Sequence, residues 1–164
     1  MTHFRLILAL CLLSVAALAQ STEKAALSVS GEVLKPLSLT LEDLAKMPQT
    51  TLKAKDREGK EHEYGGVALV EILKMAGVML GGQLRGENLT KYVLFTAADN
   101  YQVVYALPEI DPEFTSNVVL LATSVDGKPL PKGEGPFRLV NPTDKKPARW
   151  IRELKSIKVQ FARE

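Results

Sequence analysis

Beyond its first twenty residues the chain has no cysteine, and this constrains the fold more than any other feature. The one cysteine, Cys11, lies in "MTHFRLILALCLLSVAALAQ", where Arg5 precedes an apolar run, Leu6 to Ala16, and then Ala17-Leu18-Ala19. Such a run is too short to span a bilayer and ends in an A-x-A pattern, so residues 1–19 read as a signal peptide. Residues 20–164 then form a single exported domain, expected in the periplasm and not inserted in the membrane. With no disulfide available, about 145 residues must hold together by burial alone, a size at which one core is normal. Thiolate nucleophiles, cysteine zinc sites and cysteine-ligated clusters are excluded together.

The charge is uneven. Without Arg5 the chain has 20 basic and 19 acidic residues, a net of +1. Between Lys132 and Lys158, eight basic residues oppose Glu134, Asp144 and Glu153, giving +5, so the remainder has 12 against 16, or −4. This polarity suits a local anion site; a nucleic-acid surface would make the whole domain basic.

Strand patterns outnumber helical ones. "ALSVSGEV" alternates Leu27, Val29 and Val33 across Gly31 and reads as a kinked strand. "LTLEDLAKMP" predicts a short helix with Thr40 as N-cap, Asp43 three residues on and Pro48 as the stop. "TTLKAKDREGKEHEYGG" predicts a hairpin turning at Asp56 to Gly59, with His62 exposed on it. "GVALVEILKMAGV" places Leu69, Ile72, Leu73 and Ala76 at helical spacing, closed by Gly77. The stretch "GVMLGGQLRGEN" lacks G-x-G-x-x-G spacing and is expected to be a flexible loop. "YVLFTAADNYQVVYAL" gives two strands around Ala98-Asp99-Asn100, and "NVVLLATS" a strand buried on both faces before the Asp126-Gly127 turn. "FRLVNP" and "SIKVQF" complete an α+β chain around a mixed or antiparallel sheet, with no internal repeat.

The chemistry concentrates in "GEGPFRLVNPTDKKPARWIREL", Gly133 to Leu154, where five basic residues and the only tryptophan surround three prolines. Arginine forks bind phosphate or carboxylate in two hydrogen bonds, and an indole offers a stacking face. Trp150 therefore reads either as packing or as a ligand contact. Asp99 reads either as the closing carboxylate of its own turn or as an acceptor for the N–H edge of a pterin or purine, with Tyr101 beside it. His62 has no G-x-S-x-G elbow to accompany it, which removes the serine-hydrolase class.

In order along the chain, "SVSGEVLKPLSLTLEDLAKMP", "YGGVALVEILKMAGV", "YVLFTAADNY", "VVLLATSVDGKPLPKGEGPFRLVNP" and "ARWIRELKSIKV" resemble the molybdopterin-binding domain of the sulfite oxidase family. The combination "LLATSVDGKPLP", "GPFRLV" and "ARWI" is the specific part. In that family a cysteine before the middle helix binds molybdenum; here Ala54 stands at about that position, and Glu134 replaces a histidine in the glycine-proline turn. The resemblance implies a retained pterin pocket without the thiolate ligand. It places Arg138, Lys146, Arg149 and Trp150, with Asp99 and Tyr101, at a pterin or molybdopterin-like ligand, and expects no molybdenum. Three readings follow: a non-catalytic sensory or regulatory pterin-binding protein, a molybdenum oxidoreductase with an altered metal site, or a module that docks a partner. The partner in view is the periplasmic domain of a membrane sensor or a redox protein.

Overall fold

The computed structural model describes residues 25–162, so the signal-peptide reading lies outside the described residues. Ten strands form two sheets. The first comprises β1 (Leu27–Gly31), β2 (Leu37–Leu39), β5 (Lys91–Ala97), β6 (Gln102–Ala106) and β10 (Leu154–Phe161), in the order β2-β1-β10-β5-β6. Only β1 and β10 run parallel in it. The second comprises β3 (Thr50–Lys55), β4 (Glu61–Ala68), β7 (Leu120–Val125) and β8 (Lys128–Pro129) in that order, with β9 (Arg138–Val140) also paired to β7. The helices are α1 (Leu41–Ala45) and α2 (Leu69–Met75). Among the described residues no helix is long and apolar enough to cross a membrane.

Local chemistry accounts for most boundaries. Thr40 caps α1 and Asp43 returns the bond to the Thr40 N–H, a reciprocal pair that satisfies two orphan donors. Gly31 has φ +93°, and a Cβ there would lie 2.0 Å from the Val159 carbonyl oxygen, so the kink in β1 requires glycine where β1 meets β10. Gly77 closes α2 at φ +73°. Two expectations are corrected. The 81–90 stretch is not a free loop: it forms two short 3-10 turns, Gly81–Gln83 and Gly86–Thr90, and the Gly81 N–H donates to buried Asp111 at 2.5 Å. The strand expected from Asn117 starts at Leu120, since Val118 is exposed and the Val119 carbonyl accepts the Leu69 N–H.

The main core gathers Leu27, Val29, Phe95, Ile157 and Val159 of the first sheet, Val67 and Leu121 of the second, and the apolar face of α2. The other face of the second sheet carries a smaller cluster of Ala54, Tyr64, Leu120, Ala122, Val140 and Trp150. Thus β7 is buried on both faces, as its unbroken apolar run predicts, and this second cluster is the floor on which the site is built.

Candidate ligand cleft

A cleft of about 940 Å³ opens between the β3–β4 turn and the 145–152 loop, large enough for a small organic anion. Its cations are Arg57, Arg138, Lys145, Lys146 and Arg152; its carboxylates are Asp56, Glu58 and Glu134, leaving a surplus of two positive charges before His62 is counted. Alternation along β4 sends His62 and Tyr64 to the cleft face and Glu61 and Glu63 to solvent.

Arg138 anchors the floor. The strand β9 buries it to 6% exposure, beneath the surface but still on the cleft lining. Its guanidinium carbon lies 5.5 Å from the Tyr64 ring centre and 5.8 Å from that of Trp150, a cation held over two aromatic faces. Nη1 donates to Glu134, which neutralises one side of the fork. Nε is buried and finds no partner. Burial pushes the Tyr64 hydroxyl up, against the pull of Arg138, so it stays protonated at neutral pH.

The six residues read from the sequence do not share one cavity. Arg138 and Lys146 line the cleft together. Trp150 is 4% exposed, packs edge-on to Tyr64 (ring centres 6.1 Å, 83° between planes) and donates its Nε1–H to the Asn141 carbonyl at 2.9 Å. Its ring is therefore part of the apolar floor, and it borders two neighbouring recesses, one that Asp99 and Tyr101 also line and one that Ala54 and Lys145 also line. Asp99 is exposed and closes its own turn, accepting the Tyr101 N–H at 2.9 Å. Tyr101 donates its hydroxyl to the Ala148 carbonyl at 3.0 Å and so braces the loop from outside.

Arg149 points away from Arg138. It lines a separate groove with Phe114 and Val118, and its fork is engaged by Glu109 (3.0 Å) and Asp144 (2.5 Å) while it lies 4.0 Å over the Tyr105 ring. The bond to Asp144 is the main reason its guanidinium is held even more firmly protonated than usual. Asp144 also accepts from the buried Tyr105 hydroxyl at 3.1 Å and from Asn141 Nδ2 at 3.2 Å, so one carboxylate fixes the start of the loop that carries Lys145 and Lys146. Burial, with Asp144 beside it, pushes the Tyr105 hydroxyl well above its ordinary range. Replacing Asp144 with Asn is expected to cost about 2 kcal/mol, the scale of a charged hydrogen bond at a partly exposed site, read as a lower urea midpoint.

Sequence reasoning missed the place of His62. It is not an exposed hairpin residue: its side chain is 16% exposed and bridges two carboxylates, with Nδ1 2.7 Å from Asp126 and Nε2 3.3 Å from Asp56. Asp126 is 64 positions away, so no local pattern could pair them. The alternation of β4 alone could have placed His62 on the Tyr64 face.

The donor set separates two halves of a molybdopterin-type group. Ala54 is buried, pairs with His62 across the hairpin and packs in the Tyr64–Trp150 cluster, so its methyl offers no lone pair to a metal. Both nitrogens of His62 are engaged, and among the described residues no group of three or more His, Cys, Asp or Glu is placed to hold a metal. These residues do not fit a metal–thiolate bond. They do fit an organic anion.

A mixed sheet packed on an antiparallel one, with a cationic cleft on the outer face of the second, defines a domain of the sulfite-oxidase molybdopterin-binding fold. Residues 14–163 match the family described as oxidoreductase molybdopterin binding domain, and the chain belongs to that family. It is similar in structure to the sulfane dehydrogenase SoxCD from Paracoccus pantotrophus, with a TM-score of 0.65 at 22% identity. The match covers 85% of this chain and 39% of that one, so this chain spans about two fifths of the SoxCD chain. No curated protein matches it at a significant level.

Proposed function

We propose that the protein is an exported, periplasmic member of the family that binds a pterin-like anion in the cleft and holds it without redox turnover, in a sensory or regulatory role toward a partner protein. The observation that carries this reading is Arg138: a buried guanidinium with one nitrogen on Glu134 and another unpartnered, on the wall of a cleft with surplus positive charge. A pterin supplies a flat ring with a polar edge, and its carboxylate or phosphate supplies the anion. The chain's own residues bind and orient: Lys145, Lys146 and Arg152 attract charge at the mouth, and Arg138 receives it at the floor. Ala54, where the family resemblance expects a thiolate, supports binding without metal chemistry.

Calorimetric titration with pterin-6-carboxylate and with a pterin phosphate tests the reading. Saturable one-site binding that weakens as salt is raised is expected. No binding of either at millimolar concentration would refute it. Protein matured in its native compartment should contain no molybdenum, and a near-stoichiometric metal content would favour the oxidoreductase instead.

A further inference from the structure

His62 joins two turns that sequence keeps far apart. Asp56 Oδ1 accepts the N–H groups of Glu58 and Lys60, both at 2.9 Å, and so holds the β3–β4 turn; its Oδ2 faces His62 Nε2. Asp126 Oδ1 accepts the Glu63 N–H at 3.0 Å in the β7–β8 turn; its Oδ2 faces His62 Nδ1. The two carboxylates lie against opposite ring nitrogens, so they cannot chelate one ion. Ionised carboxylates only accept hydrogen bonds, and both contacts are satisfied together only when both nitrogens carry protons.

We propose that His62 is a proton-operated clamp on the cleft: as an imidazolium it ties the β3–β4 turn to the β7–β8 turn, and losing its proton frees that wall and weakens anion binding. The inference rests on the ligand reading above for its consequence, though not for the clamp itself. A neutral imidazole has one donor, so one carboxylate would then face a lone pair. The 3.3 Å contact to Asp56 is the longer and gives first. Asp56 and its neighbours Arg57 and Glu58 form one side of the cleft, so their release loosens the site, and the lost proton itself removes one positive charge from the cleft lining.

The surrounding charges set the sign. Asp126 and Asp56 favour the imidazolium, while burial and Lys60 oppose it, and the balance raises the His62 pKa with the Asp126 bond as the largest cause. That bond, with the Glu63 N–H, also holds Asp126 below the usual carboxylate range. Asp56 is likewise lowered: burial works against this, and the Lys60 and Glu58 N–H groups and His62 outweigh it. The Tyr64 ring lies 6.2 Å from the imidazole. Arg57, Arg138, Lys145, Lys146 and Arg152 line the same cleft and repel the imidazolium, and Glu58 and Glu134 offset them in part. A bound anion offsets the rest, so proton and ligand assist each other reciprocally. The clamp is complete below the ordinary histidine value of about 6.5 and is lost as pH rises through the higher folded value.

His62 is the only histidine among residues 20–164, so its imidazole ¹⁵N signals are unambiguous in protein without residues 1–19, and in the full chain their loss in His62→Gln tells them from those of His3. Titrated from about pH 5 to 9, it should show one midpoint above the ordinary value, and the Glu58 and Lys60 amide signals should move with that midpoint. Pterin-6-carboxylate, whose carboxylate stays ionised throughout, should raise the midpoint by roughly half to one unit, equivalent to a threefold to tenfold loss of affinity across the transition. In His62→Gln this pH dependence should vanish, and Asp126→Asn should lower the midpoint. Amides that ignore the histidine midpoint, or the same pH dependence in His62→Gln, would overturn the clamp. Pterin binding with equal affinity at both ends of the titration overturns the clamp and leaves the ligand reading standing. Amides that follow the proton while pterin-6-carboxylate binds at no pH support the clamp and remove the ligand reading.

Discussion

Replacing Trp150 with alanine is expected to destabilise the protein by about 3–5 kcal/mol, the range for emptying a packed indole site, and to lower the melting temperature by roughly 10–20 °C. The expectation follows from where the ring sits. At 4% exposure it fills the second cluster between Tyr64, Ala54 and Leu120, and it carries the guanidinium of Arg138 on its face. Its removal would leave a cavity directly under the cleft and strip one aromatic support from a buried charge. Loss of ligand binding in that variant would therefore say little about stacking. Trp150→Phe separates the roles: it keeps a ring in the cluster and gives up the bond to the Asn141 carbonyl, which still accepts the Asp144 N–H. A cost of about 2 kcal/mol is expected, with affinity for pterin-6-carboxylate changed less than about threefold. A stable Trp150→Phe protein that loses more than tenfold in affinity would place the indole at the ligand after all.

The same residue shows how far the sequence could be read. A lone tryptophan beside arginines is compatible with a stacking face or with packing, and the choice depends on what covers it. Here the covering residues, Ala54, Tyr64 and Leu120, come from three strands spread over more than sixty positions. The elements themselves were legible because their causes are local. Thr40 and Asp43 cap a helix within one turn, Gly77 ends another, and the unbroken apolar run of β7 states that both its faces are covered. The family was legible because its landmarks occur in order over nearly the whole chain, as the match over residues 14–163 confirms. The site was legible only in part. Clustering of basic residues marked a loop that lines the cleft, yet the direction of each guanidinium depends on which acids hold it: Glu109, 40 positions away, and Asp144, five away, draw Arg149 outward, whereas Glu134, four away, holds Arg138 at the floor. The pairing of His62 with Asp126 is distant, like that of Arg149 with Glu109, and no periodicity encodes it.

Arg138→Met should separate stability from binding more sharply than any other substitution. A buried ion pair is weak evidence of stability, because taking two charges out of water cancels most of their attraction; losing one partner is costly only where the charge left behind stays buried. The local geometry strengthens the expectation: Nε already lies buried without a partner, and Met presents a flexible thioether to the Tyr64 and Trp150 rings. The substitution strands Glu134, whose side chain is 24% exposed and can take up water. Stability is therefore expected to change by less than about 2 kcal/mol, and adding Glu134→Gln should recover part of any loss by removing the unpaired charge. Binding should respond quite differently. A charged hydrogen bond from a desolvated guanidinium contributes about 1.5–3 kcal/mol, so affinity for pterin-6-carboxylate should fall by roughly 10- to 150-fold. Lys145→Ala at the exposed mouth should lose only severalfold, and that loss should fade as salt is raised, because screening acts on the mouth far more than on the floor. Equal, salt-sensitive losses at both positions would mean that the anion stays at the rim, and the buried fork would then belong to the scaffold alone.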